Sequence, residues 1–193
     1  MSDASDGVAV GYYGTIVYTT NGGVDWTAAT TTNTGGKAMQ AVSMSDASNG
    51  VAVGRDGTIV YTTNGGVDWT AATTTNVGTT HMYGVSMSDA SNGVAVGYSG
   101  KIVYTSDGGN TWTAATTTNV GSNQMRAVSM SDASNGVAVG YSGQIVFTTN
   151  GGVVWTAATT LGGIGGSHMN GVSMSDASNG VAVGYYGKIV YTT

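Results

Sequence analysis

The phrase Met-Ser-Asp-Ala-Ser begins at Met1 and returns at Met44, Met87, Met130 and Met174. The steps are therefore 43, 43, 43 and 44 residues, and Trp26, Trp69, Trp112 and Trp155 keep the step of 43. A chain built this way is a tandem array, in which each unit buries its apolar faces against its neighbours. The copies can also be compared with each other. Positions at which they agree specify the fold, and positions at which they differ are released from it.

Composition sets the class of each unit. The 193 residues include 33 Gly, no Pro and no Cys, and only 8% are charged. All ten acidic residues are Asp, and Thr, Val, Tyr, Ser and Gly dominate. That is the composition of short strands joined by tight turns. Without Cys there is no disulfide framework and no thiolate metal site. No apolar run reaches the ~18 residues that span a membrane, and no signal segment opens the chain. The net charge of -5 argues against a general nucleic-acid binder. Low charge with much Thr, Ser, Asn and Gly is compatible with an extracellular protein.

The unit Met82–Asn123 divides into four strands. Met82–Ser88 is the first, and Asp89-Ala-Ser-Asn-Gly93 turns the chain into Val94–Tyr98. Ser99-Gly100 is a two-residue turn into Lys101–Thr105, and Ser106-Asp-Gly-Gly109 leads into a fourth strand, Thr111–Thr117. The Asn-Gly and Asp-Gly pairs supply the positive φ angles of tight hairpins. Four antiparallel strands in ~43 residues, repeated in tandem, predict an all-β fold, a β-propeller of four-stranded blades. A β-solenoid fits less well, because its coils are usually shorter and parallel.

Thr105-Ser-Asp-Gly-Gly-Asn-Thr-Trp112 carries the pattern Ser/Thr-x-Asp-x-Gly-x-x-Trp and resembles the Asp-box of BNR-type propeller repeats. The preceding Gly-Val-Ala-Val-Gly-Tyr-Ser-Gly-Lys-Ile-Val-Tyr is similar to the repeat of photosystem II assembly-factor-type propellers. Asn21, Asn64 and Asn150 replace the Asp in the other three copies. The resemblance implies a propeller with a packed Trp in each of these turns. Because sialidases, glucanases, sorting receptors and assembly factors share the box, it implies little about function.

The array (residues 1–193, a single propeller domain or a propeller fragment) comprises three complete blades and two incomplete ones. The N-terminal piece lacks its inner strand and the C-terminal piece its outer strand, and residues 1–20 nearly repeat in 174–193. Five blades with two defective ones, a four-blade ring with a surplus hairpin, and strands shared between chains all fit. Exposed edges are costly, which favours a homo-oligomer in which residues 1–30 pair with residues 169–193 of another chain. The near-identity of the copies suggests a recently amplified or engineered array.

In a four-stranded blade the 4→1 and 2→3 connections share one rim, and the 1→2 and 3→4 connections share the other. The second rim hardly varies; the first holds nearly all the differences. Its 2→3 turns read Tyr12-Tyr13, Arg55-Asp56, Tyr98-Ser99, Tyr141-Ser142 and Tyr185-Tyr186, followed by Thr15, Thr58, Lys101, Gln144 and Lys188. Before and after an unchanged Met, the first strands carry Ala38/Gln40, His81/Tyr83, Gln124/Arg126 and His168/Asn170. All five basic residues fall on this rim, and nine of the ten Asp on the other.

Loops on a rigid scaffold carry recognition, and Tyr beside small polar residues suits adaptable contact. The expected ligand-binding set is therefore Tyr12, Tyr13, Arg55, Asp56, His81, Tyr83, Tyr98, Lys101, Gln124, Arg126, Tyr141, His168, Asn170, Tyr185, Tyr186 and Lys188, facing a glycan or a protein. No enzyme is expected: Glu is absent, and the repeated Asp3, Asp46, Asp89, Asp132 and Asp176 occupy equivalent turns, where caps of backbone amides account for them. His81 and His168 lack a third ligand, so no metal or cofactor is expected. The competing reading is a structural repeat protein whose incomplete blades assemble, with no ligand. The repeated Met39, Met82, Met125 and Met169 read as core between blades, and the Trp residues as local packing within their turns.

Overall fold

The computed structural model describes residues 5–118, 120–159 and 164–192. Val, Ile, Thr and Tyr alternate along the strands and Gly punctuates them, and the result is a stack of antiparallel sheets. The first blade is β1 (Gly7–Val10), β2 (Ile16–Thr19) and β3 (Thr27–Ala28). The second is β4 (Met39–Met44), β5 (Gly50–Gly54), β6 (Ile59–Thr62) and β7 (Thr70–Ala71). The third is β8 (Met82–Met87), β9 (Gly93–Gly97), β10 (Ile102–Thr105) and β11 (Thr113–Ala114). After the short β12 (Thr116–Thr118), the fourth is β13 (Met125–Met130), β14 (Gly136–Gly140), β15 (Ile145–Thr148) and β16 (Val154–Ala157). The fifth is β17 (Met169–Met174), β18 (Gly180–Gly184) and β19 (Ile189–Thr192). The fold is thus an all-β propeller with three complete blades and an incomplete one at each end. Residues 1–4, where the sequence places the end of a first strand and the Asp3 turn, lie outside the described residues.

The first strands are consecutive neighbours in the stack, β4 against β8, β8 against β13 and β13 against β17. Side chains stitch them together: Ser43 Oγ accepts from the Met87 amide, Ser86 from Met130 and Ser129 from Met174, each at 3.0 Å. Met39, Met82, Met125 and Met169 are buried between blades, as expected from their recurrence.

Two expectations need correction. The fourth strand does not run on from Thr111 to Thr117. It pairs with its own blade only at Thr113 and Ala114, and β12 leaves to run parallel to β16 of the next blade. Parallel bridges Thr30↔Asp68 and Thr73↔Thr111 repeat this crossing at equivalent positions. A Thr-rich segment has strand propensity wherever it lies, so sequence alone does not show which sheet it joins. The Trp side chains are also not local fillers. Trp69, Trp112 and Trp155 are buried in clusters that include strands of the preceding blade.

The invariant rim behaves as its turns require. Asp46 Oδ1 accepts from the amides of Ser48 (2.7 Å) and Asn49 (2.8 Å), and Asp89, Asp132 and Asp176 do the same in their blades. Amides of the 3→4 turns, Gly22, Gly65, Gly108 and Gly151, donate to the carbonyls of Ser5, Ser48, Ser91 and Ser134, which ties the two connections of this rim together. Among the described residues no helix is long and apolar enough to cross a membrane.

Candidate functional site

Each 2→3 connection is a two-residue hairpin turn with both central residues left-handed. Tyr13, Asp56, Ser99, Ser142 and Tyr186 have φ between 54 and 58°, each followed by a glycine of positive φ. This is the type I′ geometry that fits the twist of adjacent strands. A main-chain hydrogen bond closes each turn, such as the Lys101 amide to the Tyr98 carbonyl at 3.1 Å. A second set of bonds then fixes the rim. The amides of Arg55, Tyr98, Tyr141 and Tyr185 donate to the carbonyls of Ala38, His81, Gln124 and His168, at 2.9–3.0 Å. The variable residues at the turn and at the start of the first strand are thereby brought side by side.

The other variable position has a local cause that sequence reading missed. The register of each first strand skips one residue, between Met39 and Ala41, Met82 and Gly84, Met125 and Ala127, and Met169 and Gly171. The skipped residues are Gln40, Tyr83, Arg126 and Asn170. Such a bulge frees one residue from the ladder and re-aims its side chain. The only available sign in the sequence was the variability itself beside an unchanged Met.

Two groups form on this rim. Over the first two blades, the rings of Tyr12 and Tyr13 lie 6.5 Å apart and, with Arg55, Asp56 and Lys37, border a shallow pocket of 270 Å³. Lys37, absent from the expected set, donates to Asp56 at 2.6 Å, and this bond holds the Asp56 carboxyl below its ordinary value. His81 of the third blade joins them, with Nδ1 accepting from the Asp56 amide at 2.9 Å. His168 repeats the contact with the Ser142 amide at 3.0 Å. An accepting Nδ1 places the ring proton on Nε2, so both histidines are clasps between a blade and the turn before it.

The second group is a continuous row over blades three to five. The Arg126 guanidinium lies 5.1 Å from the centre of the Tyr83 ring and 5.6 Å from that of Tyr141. Tyr141 stacks on His168 at 4.0 Å, His168 meets Tyr185 at 5.7 Å, and Tyr185 meets Tyr186 edge-on at 6.4 Å. Among the described residues no carboxylate pairs with Arg126. Both distances are within the ~6 Å over which a ring face attracts a cation, so the two tyrosines hold the guanidinium in place. Tyr98 is exposed and outside the row. Lys101 donates to the Asn76 carbonyl at 3.2 Å, Asn170 is exposed and Lys188 is half-buried. Gln124 enters through its carbonyl. Among the described residues no three His, Asp or other ligating side chains gather as a metal site.

A family model for the photosynthesis system II assembly factor YCF48 matches residues 1–122 and again residues 70–192. The chain belongs to the YCF48 family. Among solved structures, it is similar to YCF48 bound to D1 peptide, with a TM-score of 0.72 at 20% identity, covering 100% of this chain and 61% of that one. YCF48 from Cyanidioschyzon merolae gives a TM-score of 0.72 at 17% identity, over 97% of this chain and 66% of that one. An ancestral GH74 enzyme matches with a TM-score of 0.66 at 14% identity, over 96% of this chain and 29% of that one. The chain therefore spans less than two thirds of the YCF48 structures it resembles. At these identities the structures establish the propeller fold, which an enzyme and an assembly factor share. No curated protein sequence matches the chain.

Proposed function

We propose that this YCF48-family chain is a non-catalytic recognition module that binds a peptide segment of a protein partner across its variable rim. The observation that supports it best is the row Tyr83–Arg126–Tyr141–His168–Tyr185, exposed at its outer end and assembled from the positions at which the repeats differ. Tyr and Arg are the residues that carry most binding energy at protein interfaces. A YCF48 structure holding a D1 peptide makes a peptide the natural probe. The non-catalytic part of the reading draws on the second rim. Its Asp carboxylates stand in equivalent turns and are occupied by backbone amides, so they do not form the acid/base pair with contrasting environments that hydrolysis needs.

Fluorescence anisotropy with a labelled D1 peptide tests the assignment. Tyr141→Ser and Tyr98→Ser are each expected to weaken binding by more than ~1 kcal/mol. Asp46→Asn and Asp89→Asn are expected to leave affinity unchanged. Equal losses from the two sets would sink the choice of rim. Binding of a glycan on an array with no peptide binding would replace the ligand class, and turnover of a sialoside would overturn the non-catalytic reading.

A further inference from the structure

One contact recurs at each junction inside the stack. Trp69 of the second blade shares an apolar cluster with Val8, Val10 and Ile16 of the first. Trp112 joins Val51, Val53 and Ile59, and Trp155 joins Val94, Val96 and Ile102. The glycine three residues before each Trp lies on the same neighbour. A Cβ at Gly66 would meet Val8 and Tyr18, one at Gly109 would meet Val51 and Tyr61, and one at Gly152 would meet Val94 and Tyr104. These three Trp residues are 2%, 1% and 0% exposed.

Both halves of this contact are also present uncovered. Trp26 on the first blade is 45% exposed. A Cβ at Gly23, beside it, would meet nothing but Trp26 itself. On the fifth blade Val181, Val183, Ile189 and Tyr191 hold the positions of Val8, Val10, Ile16 and Tyr18. They are 45%, 44%, 67% and 78% exposed, against 1% for Ile16 beneath Trp69. The repeat itself shows what fits such a face: a turn carrying Gly and Trp. Among the described residues, the Trp26 turn is the one that does not already sit on a neighbour.

We infer that the two halves meet between copies, with the Trp26 turn of one molecule docking on the Val181–Val183–Ile189–Tyr191 face of another. The contact is heterologous, one surface against a different one, so copies join head to tail and close into a ring when the rotation permits. It buries sheet faces, and so differs from the edge-to-edge strand pairing expected from the sequence.

Sedimentation of the 193-residue chain across the micromolar range tests the inference. Association that rises with concentration is expected, weakened at least about tenfold by Trp26→Ala, the usual cost of losing an aromatic anchor. Ile189→Ser, on the opposite half, is expected to weaken it similarly, and both variants change exposed side chains, so they fold. A mixture of the two variants is decisive. One keeps an intact fifth-blade face and the other an intact Trp26 turn, so the mixture forms a 1:1 complex that neither forms alone. A monomer at every concentration, association indifferent to Trp26→Ala, or a mixture that does not pair would each overturn it. No residue of the variable rim takes part, so failure leaves the peptide-binding reading untouched.

Discussion

Asp107 and its counterparts show how one turn is kept with different chemistry. In every copy a Thr hydroxyl and the side-chain oxygen two residues on close the turn, as in Thr105 Oγ1 to Asp107 Oδ1 at 2.9 Å and Thr62 Oγ1 to Asn64 Oδ1 at 3.0 Å. The second contact inverts. The Asn64 amide donates to Asp68 at 2.9 Å, whereas the Thr111 hydroxyl donates to Asp107 at 2.6 Å. Residues 107 and 111 therefore form one donor and one acceptor, exchanged as a pair. Thr111→Asp sets two carboxylates against each other, and is expected to cost about 1.5–3 kcal/mol, the range for a lost bond to a charged group. Adding Asp107→Asn recreates the Asn64–Asp68 arrangement and recovers most of the loss. Urea unfolding of the two single variants and the double measures this coupling, and additive effects would contradict it.

At the scale of elements, the Trp turn carries the junctions. Gly109 has φ +91°, and a Cβ there would lie 2.5 Å from Val51 Cγ2 and 3.3 Å from Tyr61 Cβ. Gly109→Ala combines left-handed strain with overpacking and is expected to cost about 2–4 kcal/mol. Gly23→Ala, at φ +89° with no neighbouring blade in reach, keeps only the strain of about 1–2 kcal/mol. Equal losses in urea unfolding would show that the turn does not bear on its neighbour. The strands, the hairpins and the division into rims were legible in the sequence, because turn chemistry and strand propensity are local. The parallel crossing of β12, the bulges and the docking of Trp on the preceding blade were not. Each depends on which sheet lies alongside, and near-identical repeats carry no mark of that. For the same reason the candidate residues were found as a rim, but their grouping into a row through Arg126 emerged only when neighbouring blades were stacked.

For the whole molecule, the Asp turns of the invariant rim are expected to set its response to acid. Hydrogen bonds from the Asn135 side chain and from the Ser134 and Asn135 amides lower the Asp132 carboxyl to about 2, from an ordinary value of 3.8. Asp46 and Asp176 are lowered by the equivalent bonds, and in Asp89 those bonds outweigh a burial that raises it. A folded-state value below the unfolded one gives stability that is present above the unfolded value and lost as pH falls through the folded one. Melting temperature is therefore expected to fall between about pH 4 and pH 2, more shallowly in Asp132→Ser. Identical profiles for the variant and the parent would remove this rim from the account of acid sensitivity.

The bulge in each first strand has one more consequence. A side chain outside the ladder can be exchanged without disturbing a pairing partner, and the left-handed turn beside it is closed by a main-chain bond in every blade, whatever side chains it carries. A single folding instruction can thus be copied verbatim while its outer alphabet is rewritten one letter at a time. Duplication multiplies the scaffold, and divergence is channelled to the places where the scaffold does not listen.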